Sequence, residues 1–95
     1  MTITLPALLD GVEAERLRPT LMHAVRSDHP VVVLNASNVE LISSAGLGML
    51  VAAALVGAER GVRIEVERPS ELFRQSLALT GLGRHLGIAT APALV

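Results

Sequence analysis

Leu34-Asn35-Ala36-Ser37-Asn38-Val39-Glu40-Leu41-Ile42-Ser43-Ser44-Ala45-Gly46-Leu47-Gly48-Met49-Leu50 passes from an aliphatic run, through a polar break, into an apolar segment opened by two serines. A short hydroxyl side chain just before a long apolar run marks a helix start, because it accepts one of the backbone N–H groups that a helix leaves unpaired. Ser43 or Ser44 is therefore the expected N-cap of a helix running to about Arg60 and ending at Gly61. That start is also the positive end of the helix dipole, so an anion, including a phosphate on Ser43 or Ser44, is stabilised there. The plainest role for the two residue types is structural: a serine caps, and Gly46 lets strand and helix approach closely. Along the helix, Leu47, Leu50, Val51, Ala54 and Leu55 make a core stripe. Met49, Ala52, Ala53 and Val56 leave the opposite side uncharged until Glu59 and Arg60. A helix apolar all round is either buried on two sides or presents a face that binds something. In 95 residues two-sided burial of a peripheral helix is hard to arrange, which favours a protein-binding face through Met49 and Ala53.

Working outward from this segment, Val31 to Leu34 is a continuous aliphatic run and is expected as a central strand covered on both sides. Thr2 to Leu5 alternates and is ended by Pro6; Asp10-Gly11 is a turn signal. Val12, Leu17, Leu21, Ala24 and Val25 then recur at helical spacing, and Pro19 inside the pattern is expected to kink or divide that helix. After Gly61, Val62, Ile64 and Val66 alternate with Arg63, Glu65 and Glu67, so this strand shows one face to solvent. Pro69-Ser70 opens a last helix with Leu72, Phe73 and Leu77 inward, ended by Gly81. Leu86 to Ala89 fit a short strand and residues 90–95 a loose tail. Strands alternating with helices over short connections give an α/β fold: a single layer of about four mostly parallel strands with helices mainly on one face, formed by one domain over residues 1–95.

Composition narrows the chemistry. With no cysteine there is no disulfide frame, thiolate metal site or cysteine nucleophile. Eight basic and nine acidic residues give a net charge of −1, which argues against a nucleic-acid partner. The basic residues are all arginine, so P-loop lysine and Schiff-base chemistry are excluded, and the lone aromatic, Phe73, makes no base-stacking platform. No targeting segment is visible in the N-terminal stretch, and the apolar run from Ala45 to Ala58 is too short to span or insert into a bilayer. A cytoplasmic protein without cofactor or bound metal is expected.

The Ser43-Ser44-Ala45-Gly46-Leu47-Gly48 segment, followed by Gly61 before a strand, Pro69-Ser70 opening a helix, and Leu79-Thr80-Gly81-Leu82, resembles the STAS domain, the module shared by anti-sigma factor antagonists and sulfate transporters. The likeness is good from about residue 30 to 86. Its members open the corresponding helix with Asp-Ser-Ser-Gly-Leu or Asp-Thr-Ala-Gly-Leu. In anti-sigma factor antagonists the resemblance implies that the serine directly before the glycine, a position held here by Ala45, is phosphorylated by an anti-sigma-type kinase, the unmodified form binding that partner and the phosphate releasing it. Here Ser43 stands where the motif has aspartate, Asn35 where an acidic residue often ends the central strand, and Ala45, which has no hydroxyl, directly before Gly46. Ser44 and Ser43 remain as phosphoacceptor candidates. The Thr-Ala-Gly variant resembles the small STAS subunit of bacterial phospholipid-transport ABC complexes, and short chemotaxis-associated STAS proteins are similar as well. All of them imply docking on a partner, most often an ATP-binding kinase or ATPase. The surface implied is Asn35, Ser37 and Asn38 of the loop, with Ser44, Ala45, Gly46, Met49 and Ala53 of the helix.

Two other classes compete with a binding module. A serine hydrolase needs a base, and the chain has only His23, His29 and His85, with no Gly-x-Ser-x-Gly and no metal-ligand spacing. Nucleotide or lipid binding would place an anion at the helix start, with Arg63 or Arg84 approaching in space. Closure of the apolar helix face by a homodimer also stays open.

Overall fold

A computed structural model describes residues 1–81, 83 and 86–88. Its elements follow in the order β1 (Thr2–Thr4), β2 (Leu8–Leu9), α1 (Gly11–Val25), β3 (Val31–Asn35), β4 (Leu41–Ile42), α2 (Ser44–Glu59), β5 (Arg63–Glu67), α3 (Glu71–Thr80) and β6 (Gly87–Ile88). Four strands form one parallel sheet ordered β1-β3-β5-β6, and β2 pairs with β4 in a separate parallel pair. The α/β class and the single parallel layer of four strands are as the sequence implied.

The registers decide which face is covered. Ile3, Leu34 and Val66 are partners across the sheet, as are Val32 and Ile64, and these point to the helices. Val32, Leu34 and Val66 are fully buried there, with Leu5, Leu9, Leu21, Val25, Leu50 and Phe73. On the other face lie Thr2, Thr4, Val31, Val33, Asn35, Arg63, Glu65 and Glu67, none of them buried. The expectation of a β3 covered on both sides is therefore corrected. β3 is central, but its burial alternates, because the helices lie on one side and Val31 and Val33 are half-exposed. The alternation read in β5 holds, with Arg63 paired to Glu65 at 2.7 Å on the open side.

Further corrections concern the helices. Asp10-Gly11 is no free turn: Asp10 is the N-cap of α1, accepting the Glu13 N–H at 2.9 Å, and Gly11 is already helical. Pro19 does not divide α1, which continues to Val25. Val12 is 64% exposed, and Leu72 of α3 also faces outward, whereas Phe73 and Leu77 are buried as expected. Ser70 caps α3, and Gly81, in the left-handed region at φ 71°, ends it. The proposed tail at 90–95, with Ala89, lies outside the described residues.

Candidate functional site: the start and outer strip of α2

Both β2 and β4 are two residues long and run directly into a helix, so the starts of α1 and α2 lie side by side at one end of the molecule. A Cβ built on Gly11 would lie 3.7 Å from the Ala45 Cβ. Ser43 is the N-cap of α2. Its hydroxyl oxygen accepts the Gly46 N–H at 3.1 Å, and its own N–H donates to the Leu9 carbonyl at 3.0 Å. Ser44, the first helical residue, is exposed and makes no side-chain hydrogen bond among the described residues. One serine is thus committed to the fold and the other is free.

Gly46 is buried against β2. A Cβ there would fall 2.3 Å from the Leu9 carbonyl oxygen and 3.0 Å from its side chain, so only glycine permits this approach. Two of the residues expected to face a partner are also core: Met49 is 2% and Ala53 0% exposed. The physical reason is that α2 packs on the sheet and on α1 at once. Met49, Ala53 and Gly57 recur at four-residue steps, and Gly57 lies against Val25 of α1, with a built Cβ 3.5 Å from that side chain. The small Ala53 and Gly57 on this stripe let the two helices approach, which is how 95 residues bury a helix on two sides.

An outward apolar strip exists nevertheless, on other residues. Ser44, Ala45, Gly48 and Leu55 are exposed, and Val51, Ala52 and Val56 half-buried, so no charge interrupts this arc before Glu59. At its upper end Leu8 and Leu41, register partners in the short strand pair, are 52% and 48% exposed, and Val12 stands at the neighbouring helix start. Leu55 and Val12 were expected on the inner stripes of their helices and are corrected to the surface, Leu55 at 52% exposure, while Leu8 and Leu41 were not singled out by the sequence. A signal was present, since Leu8-Leu9-Asp10 and Leu41-Ile42-Ser43 are both apolar pairs followed by a capping residue. Two-residue strands are too short for periodicity to reveal.

The loop after β3 sits at the same end. The Asn35 Oδ1 accepts both the Ser37 N–H at 3.0 Å and the Ser37 hydroxyl at 2.7 Å, a local turn that leaves Ser37 and Asn38 exposed. The loop is tied to the start of α3 by the Ser70 hydroxyl on the Val39 carbonyl at 2.7 Å and the Ser70 N–H on the Ala36 carbonyl at 3.0 Å. These bonds flank Arg68, whose φ of 51° is left-handed and strained for a side chain other than glycine.

The catalytic and anion-binding readings lose their described partners. His23 lies in the last turn of α1, about 18 Å along the helix axis from the end that carries Ser44, and His29 precedes β3 at that same far end. Arg63 starts β5, also at the far end, and is held by Glu65. Arg84 and His85 lie outside the described residues. Arg18 donates hydrogen bonds to Glu15 and holds that carboxyl below its usual range, but this pair is on the exposed surface of α1. Among the described residues no group of three or more histidine, aspartate or glutamate side chains is arranged to hold a metal ion. No helix among them is long and apolar enough to cross a membrane.

The fold has solved counterparts. The Bacillus cell fate determinant SpoIIAA in its phosphorylated form matches with 22% identity over 95% of this chain and 82% of that one, at a TM-score of 0.71. The anti-sigma factor antagonist SpoIIAA in its unphosphorylated form matches with 22% identity over 95% of this chain and 79% of that one, at a TM-score of 0.77. At this identity the likeness speaks for the fold alone. No curated protein sequence matches significantly. The family model described as "Mlab, STAS domain" matches residues 1–92, and the chain belongs to the STAS domain family.

Proposed function

We propose that this chain is a non-catalytic, cytoplasmic regulatory module, one STAS domain over its whole length, that docks on an ATP-binding protein partner, a kinase or an ATPase. The docking surface is the outer strip of α2 from Ser44 to Leu55, with Ala45, Leu8, Val12 and Leu41 above it and the Asn35–Asn38 loop beside it. The observation that carries this reading is the exposed, unbonded hydroxyl of Ser44 at the head of an uncharged strip. Apolar surface of that kind favours a protein contact. A phosphate on Ser44 would sit at the unneutralised positive end of α2, so the fold tolerates it, while its charge in the middle of an apolar contact would expel the partner. Ser43 is a poor acceptor because its hydroxyl caps the helix.

A second reading keeps the surface and changes the partner. Ser44-Ala45-Gly46 has serine where the Thr-Ala-Gly variant of phospholipid-transport subunits has threonine, and the matching family model is described as "Mlab, STAS domain". Ser44 would then be a standing polar contact on an ABC ATPase. Intact-mass analysis of the protein from its own host, with fragmentation, separates the two. A phosphate mapped to Ser44 supports the switch, a phosphate confined to Ser43 contradicts the assignment made here, and a single unmodified mass across growth conditions favours the constitutive subunit.

A further inference from the structure

Among the described residues the outer edge of β1 is unpaired in the sheet. The Met1 carbonyl accepts the Val33 N–H and the Leu5 N–H donates to the Asn35 carbonyl, so odd-numbered residues face β3. The N–H and C=O groups of Thr2 and Thr4 therefore point outward. An edge is normally guarded by brevity, charge, proline or a bulge, and of these β1 has brevity, at three residues. Here residues 1–9 contain no charged side chain, and β1 itself contains no proline. Beside the edge runs a groove of about 510 Å³ lined by Met1, Thr2, Ile3, Pro19, Thr20 and His23.

We propose that this edge pairs with the same edge of a second copy of the chain, antiparallel across a two-fold axis through Ile3. Thr2-Ile3-Thr4 reads the same in both directions. In that register Thr2 of one copy and Thr4 of the other exchange both backbone hydrogen bonds, twice per dimer, using the groups that the edge leaves free. Ile3 meets its counterpart in the closer, non-bonded pair on the helix side, where the half-buried side chain already packs on the core. Threonine meets threonine on the open side, a favourable cross-strand pair. The groove gives room on the helix side for the second copy's Met1 and Ile3. The side chains of this edge carry no charge to repel an identical one, and Thr2-Ile3-Thr4 is complementary to itself in the antiparallel register, so a second copy is the occupant it fits. The union is isologous and leaves both α2 surfaces open.

Sedimentation at rising concentration, as a small and therefore weak interface requires, tests the proposal. The wild-type mass is expected to rise from 10.0 kDa toward twice that value. Thr4→Pro removes a donor that serves no bond within the chain and is expected to return the protein to monomer with an unchanged cooperative melt. Thr4→Lys, which adds a charge to the edge without touching the backbone, does the same and decides the matter if the proline variant fails to fold. Wild type that stays monomeric throughout overturns the proposal. So does a dimer that survives both variants, or one lost instead in Leu41→Asp, which moves the interface to the α2 surface.

Discussion

The starts of α1 and α2 are built on one plan and finished differently. Each follows a two-residue strand of the same pair, and each has a capping side chain that accepts the N–H three residues on. In α1 the cap is Asp10 and the first turn carries Glu13, so the positive end of the helix already has its counter-charge. In α2 the cap is a neutral serine and the first turn has no acidic residue. One start is electrostatically complete; the other is open, and beside it lies the free hydroxyl of Ser44. The docking surface proposed above begins at the open start.

The largest test of the shared plan is steric. Gly46→Ala drives a methyl into the Leu9 carbonyl and is expected to cost about 3 kcal/mol or more in urea unfolding. Gly11→Ala, with only an ordinary contact to Ala45, should stay within about 1 kcal/mol of wild type. Equal losses would mean that the two helix starts are not packed as described. Removing the caps comes next: Asp10→Ala and Ser43→Ala are each expected to lower stability by about 1 kcal/mol. If Ser43→Ala costs nothing, the division of labour between the two serines fails.

Gly48 sharpens the contrast within α2, since no atom of the described residues lies within 4 Å of a Cβ built there. Gly48→Ala should raise stability by up to about 1 kcal/mol while altering the proposed docking strip. The smallest effect is the most specific to the comparison. Ala45→Asp adds charge to the open start and should stabilise by about 0.5 kcal/mol at low salt. Val12→Asp, at the same position of the start that already holds acids, should give close to nothing, and the difference should shrink as salt rises.

Much of this was legible in the sequence. The alternation of Val62 to Glu67, a capping serine at Ser43 or Ser44, the Pro69-Ser70 helix opening, and the terminal Gly61 and Gly81 placed the elements, because these signals are local. The side of α2 that faces outward was not legible. An almost wholly apolar helix has no periodicity to read, so Met49 and Ala53 were set on the surface when packing against α1 puts them in the core. Leu8 and Leu41 escaped for the opposite reason: their strands are two residues long, and only their pairing with each other gives them a face.

The central claim is that an uncharged surface headed by Ser44 docks an ATP-binding partner. Affinity capture from the host, comparing wild type with Leu55→Asp, Leu41→Asp and Ser44→Glu, tests it most directly, with circular dichroism confirming that each variant folds. The account predicts that an ATP-binding protein is held by wild type and by Thr4→Pro and is lost from all three surface variants. Retention of the same partner by all three folded variants would contradict it.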